Sequence, residues 1–101
     1  MVQVIANFRD TGLQAFFEHD KTSARIPTDI RDRLFRKLQL VDDAVSDADL
    51  RVPPSNHFEK LSGKLAGRSS IRVNAQWRLI FQWESASGKA FNLYLDNHTY
   101  R

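Results

Sequence analysis

The chain has 101 residues, no cysteine, a formal net charge of +3 and 42% hydrophobic residues. That is apolar mass for one domain over residues 1–101 with its own core, and no apolar run reaches the roughly 18 residues a membrane helix needs. Disulfides and thiolate metal sites are excluded, the N-terminus lacks a secretory pattern, and the three histidines share no metal-ligand spacing. The expectation is a cytoplasmic protein with no membrane contact and no cofactor.

In chain order, Val2 to Phe8 reads as a first strand. Thr11 offers an N-cap with Gln14 as its capping-box partner, opening a short helix that carries Leu13, Phe16 and Phe17 on one side and ends near His19. Residues 20–27 read as a loop. Thr28 caps a second helix, whose buried stripe is Ile30, Leu34, Leu38, Val41 and Val45. Residues 47–56 contain Pro53 and Pro54 and read as irregular. Three strands follow. Residues 69–74 turn Ile71 and Val73 inward and Ser70, Arg72 and Asn74 outward. Residues 77–83 turn Trp77, Leu79, Phe81 and Trp83 inward, with Arg78, Ile80 and Gln82 outward. Residues 91–95 turn Phe91, Leu93 and Leu95 inward, with Asn92 and Tyr94 outward and Asp96 continuing that face. The prediction is a two-layer α+β fold, two N-terminal helices packed on a small, mostly antiparallel sheet.

Charge is unevenly placed. Residues 1–56 hold eight Lys/Arg and nine Asp/Glu, a net of −1; residues 57–101 hold seven and three, a net of +4. A basic half points to nucleic acid as partner, with a merely solvated basic surface as the plain alternative. If the three C-terminal strands are neighbours, Arg72, Arg78, Tyr94 and Asp96 share one open face, and His98 follows Asp96 by two positions. The segment 60–68, with Lys60, Lys64 and Arg68, feeds the edge of that face, and Gly63 and Gly67 let its backbone approach a ligand. RNA cleavage without metal needs a base for the 2′-hydroxyl, cations for the phosphate and an acid for the leaving 5′-oxygen. His98 is the leading proton-transfer candidate, Asp96 its orienting partner, and Arg72 and Arg78 the phosphate grip. Either arginine reads equally as a surface partner of Glu84 or Asp96. His57 is a weaker candidate, and His19 reads as a helix-end residue without chemistry.

The run LSGKLAGRSSIRVNAQWRLIFQW from Leu61 to Trp83, with LQAFF and LRVPPSN before it and a terminal DNH after it, resembles the HigB toxins, also called plasmid maintenance killer proteins, of the RelE/ParE superfamily. The resemblance implies a RelE/ParE-like fold and the toxin of a type II toxin–antitoxin pair. It further implies a ribosome-dependent, metal-independent mRNA endonuclease neutralised by a HigA-like helix-turn-helix antitoxin, with operator DNA reached only through the toxin–antitoxin complex. The family's Asp-Tyr-His triplet falls on Asp96, Asn97 and His98, so Asp and His match and Tyr does not. Its His before the LxG segment falls on Glu59, with His57 two residues earlier; its Lys before the first glycine is Ser62, flanked by Lys60 and Lys64. The Arg of its Trp-Arg pair matches Arg78. The candidate catalytic set is therefore Asp96, His98, Arg78 and Glu59, and the candidate RNA-contacting set Lys60, Lys64, Arg68, Arg72, Asn74 and Asn97. Two rival readings are a ParE-like toxin that binds DNA gyrase and cuts nothing, and a catalytically weak member that only binds RNA or antitoxin.

Overall fold

Asp10 starts the first helix. In the computed structural model, which describes residues 4–23 and 25–97, α1 spans Thr11–His19. Asp10 Oδ1 accepts from the Gly12 N–H at 2.9 Å and the Leu13 N–H at 3.1 Å. The cap lies one residue before the expected Thr11, because a carboxylate satisfies two orphan amides and also meets the positive helix end. Gln14 reaches forward to Glu18 rather than back into a capping box.

Thr28 does not cap the second helix. It begins a 3₁₀ turn, Thr28–Ile30, that leads into α2, Arg31–Asp43. Ile30, Leu34, Leu38 and Val41 are buried as the spacing predicts. Val45 is 78% exposed, against expectation, because the helix has ended and Ala44 is extended. The segment around the two prolines is more regular than the sequence suggests. It holds a one-turn helix α3, Asp47–Leu50, and a 3₁₀ turn, Pro54–Asn56, whose first residue needs no amide donor.

Four antiparallel strands follow in spatial order β1 (Glu59–Lys60), β2 (Ser69–Arg72), β3 (Trp77–Glu84) and β4 (Lys89–Asn97). The two-residue β1 is too short to leave a periodic signal, and the sequence reading misses it. The predicted first strand is only a partial one. Residues 4–10 run parallel to β4 through bridges Ile5–Ala90 and Phe8–Leu93, with the Ala6 N–H donating to Ala90 O at 2.8 Å and the Arg9 N–H to Leu93 O at 2.9 Å. Asp42 of α2 ties this segment down, its Oδ1 accepting from the Val4 and Ile5 amides at 3.1 and 3.0 Å.

Between the pairs Ile80–Tyr94 and Gln82–Phe91, β3 advances two residues and β4 three. The extra residue makes a bulge at Asn92, whose φ of 57° suits asparagine's tolerance of the left-handed region. The bulge reverses the alternation. Phe91 pairs with Gln82 on the outward side instead of pointing inward, while Ala90 and Leu93 are fully buried.

Leu13 and Phe16 of α1, Leu34, Leu38 and Val41 of α2, and Ile71, Leu79, Phe81 and Leu93 of the sheet share one buried cluster. Full burial of each such side chain contributes about 1.5–3 kcal/mol. The result is a two-layer α+β fold with helices against one sheet face. Among the described residues, no helix is long and apolar enough to cross a membrane.

Candidate nucleic-acid interface

The strand register decides which side chains meet on the other sheet face. Arg72 stands opposite Arg78, and Arg78 opposite Asp96. The next row on the same face is Glu59, Ser70, Ile80 and Tyr94. Neighbouring strands are about 4.8 Å apart, so Arg72, Arg78 and Asp96 fall within roughly 10 Å. Two arginines at directly opposite strand positions bring like charges to one patch, which makes the face beside them a favourable place for an anion.

Carboxylates and a histidine border that pair. Arg78 is only 9% exposed, and its Nη1 lies 3.3 Å from Glu59 Oε1. Asp96 is half-buried at its place beside Arg78 on β4. On the far side, Arg72 Nε donates to Asn74 O at 3.1 Å, and Arg72 Nη1 lies 3.5 Å from His57 Nε2. A guanidinium has no acceptor, so any hydrogen bond in that contact has Nε2 accepting. His57 reaches this position through a left-handed backbone, φ 46°, at the end of the Pro54–Asn56 turn.

Farther along the face, the Tyr94 ring is flanked by two more cations. The guanidinium carbon of Arg9 lies 4.7 Å from its centroid and that of Arg68 5.9 Å. Arg9 carries no sequence signal for this role. It arrives because residues 4–10 lie along β4, a pairing between positions more than 80 apart in the chain.

A profile of the RelE-like toxins of the type II toxin–antitoxin system HigB matches residues 6–98. The chain is 53% identical over 93 residues to Toxin HigB-1 of Vibrio cholerae, covering 92% of this chain and 96% of that one. The chain belongs to the HigB toxin family. An uncharacterized protein of Haemophilus influenzae is 42% identical over 94 residues, 93% of this chain and 91% of its own. Endoribonuclease HigB of Proteus vulgaris is 33% identical over 95 residues, 94% of this chain and all of its own. As a type II toxin, the HigB-family chain has an antitoxin as partner.

Within this HigB fold the predicted site residues separate. Arg72, Arg78, Asp96 and Glu59 come together, joined by His57, and Arg68 lies farther along the same face against Tyr94. Lys60 projects from the other side of β1, 3.9 Å from Asp47 of α3. Lys64 is exposed on a 3₁₀ turn in the 61–68 loop. Asn74 Oδ1 is occupied by the Gln76 and Trp77 amides at 2.8 and 2.7 Å, an Asx turn that builds the β2–β3 corner. Asn97 pairs with Trp77 and lines a cleft beside α1, on the side away from Asp96. His98 lies outside the described residues.

Proposed function

We propose that this chain is an endoribonuclease toxin that cuts mRNA on the ribosome, in the cytoplasm, and is held inactive by a HigA-like helix-turn-helix antitoxin. In this reading operator DNA is met only through the toxin–antitoxin complex. The observation that carries it is the row of His57, Arg72, Arg78 and Asp96, with Glu59 on Arg78, in a chain related to Endoribonuclease HigB of Proteus vulgaris.

The chemistry follows from the side chains. A scissile phosphate settles between Arg72 and Arg78, whose N–H donors stabilise the charge that builds on its oxygens. Glu59 or His57 takes the 2′-hydroxyl proton. The 2′-oxygen bonds to phosphorus, the bond to the 5′-oxygen breaks, and an acid protonates the leaving oxygen. Sequence position assigns that acid to His98, two residues after Asp96. The products are a 2′,3′-cyclic phosphate and a free 5′-hydroxyl. Glu59 also holds Arg78 in place when no substrate is bound.

Arg78→Ala and His98→Ala, made separately, are expected to lower cleavage about 100-fold or more while leaving the antitoxin complex intact. The readout is the mapping of mRNA 5′ ends after induction in a translating extract. New ends inside coding sequence that vanish in both variants support the reading. DNA breaks without new RNA ends point to gyrase, and full cleavage by both variants removes the assignment.

A further inference from the structure

A second cationic feature adjoins the row. A groove of about 580 Å³ lies between α2 and the turn at 53–57, with Arg33, Arg36 and Lys37 on one wall and Pro53 and His57 on the other. Arg72 closes its end, so groove and row share both His57 and Arg72.

Three cations within five positions of one helix face repel one another. Among the described residues, no carboxylate oxygen lies within 4.0 Å of the nitrogens of Arg33, Arg36 or Lys37. Burial first, and then the charges of Arg33 and Arg36, hold the Lys37 ammonium below its ordinary pKa. Lys37 is fixed by Asn56 Oδ1, whereas both arginines beside it stay exposed. A cationic cluster with no carboxylate in direct ion-pair contact, set in a concave channel, favours a polyanion whose charges are spaced along a chain.

We propose that this groove binds the phosphodiester backbone of the RNA strand engaged at the Arg72–Arg78 row, one or more nucleotides away from the reacting phosphate. The inference rests on the ribonuclease reading above. It adds a subsite that fixes the strand's path, so that affinity depends on RNA length beyond the cut.

The test uses the full chain and uridine oligonucleotides with 2′-O-methyl groups, which cannot be cut. A trimer and a nonamer are titrated by fluorescence anisotropy at several salt concentrations. The nonamer is expected to bind more tightly than the trimer. The double variant Arg33→Gln/Arg36→Gln is expected to erase that advantage and leave the trimer unchanged. Its log affinity against log salt should be shallower by about 1.4 for the nonamer, since each phosphate contact on a single strand contributes about 0.7. Arg33→Lys/Arg36→Lys keeps the charge and should keep the slope. Equal slopes in wild type and the Gln variant overturn the proposal, as does a wild type that holds both lengths equally or neither. Competition by a nonamer of glutamate as effective as the RNA also overturns it, assigning the groove to an acidic protein segment. Arg78→Ala should lose cleavage with the length advantage intact, so failure of the subsite and failure of the ribonuclease reading appear in different measurements.

Discussion

Asn56 is fully buried, and replacing it tests how the candidate site is held. Its Nδ2 donates to the carbonyls of Leu50 and Val52, both at 3.1 Å, and its Oδ1 accepts from Lys37 Nζ. Each neutral bond is worth about 1 kcal/mol net. The bond to Lys37 is charge-assisted but half-exposed, so about 1 kcal/mol is appropriate there too. Asn56→Ala should therefore cost about 3 kcal/mol out of the roughly 5–15 available to a domain of this size. On thermal denaturation by circular dichroism that is a fall of about 12 °C or more. Asn56→Asp is the sharper control. It can pair with Lys37, yet turns an acceptor toward two carbonyls that need a donor, and should be at least as destabilised at pH 7. A fall below about 4 °C for Asn56→Ala would refute the reasoning, as would an Asn56→Asp variant more stable than the wild type. Because Asn56 precedes His57, both variants should also weaken cleavage at temperatures where they remain folded.

Three further outcomes are expected. Lys37 binds its proton less tightly when folded, so stability should rise as pH climbs from the depressed folded pKa to the ordinary 10.5, and Lys37→Gln should flatten that rise in urea titrations. Asp42→Ala frees the Val4 and Ile5 amides and should cost about 2 kcal/mol, with faster hydrogen exchange at those two amides as the specific readout. At the bulge, Asn92→Gly should be nearly neutral, whereas Asn92→Val forces a β-branched residue to positive φ and should cost about 1–2 kcal/mol in the same titration.

What the sequence reveals here is what period and local chemistry encode. The α2 stripe and the inward residues of β2 and β3 repeat at regular spacing, so they are legible, and so is the shared face of Arg72, Arg78, Tyr94 and Asp96. Phe91 escapes because the bulged Asn92 shifts the alternation of the residues before it relative to Leu93, Tyr94, Leu95 and Asp96, and no local composition announces the bulge. Val45 escapes because helix α2 stops without a glycine or proline to mark its end. Glu59 is found through family resemblance, but its contact with Arg78 depends on the β1–β2 register. Arg9 and the His57–Arg72 contact depend on tertiary placement, which a single sequence does not carry.

The two borders of the sheet also bear on pairing with other chains. A bare strand edge offers unpaired amides and carbonyls to any other chain, the usual route to cross-chain pairing and precipitation. Here β4 is overlaid along much of its outer side by residues 4–10, and the opposite border is a strand of two charged residues. Neither border offers a long, flat, apolar template. The hydrogen bonds that lay residues 4–10 along β4 thus cover one border of the sheet and also set Arg9 beside Tyr94.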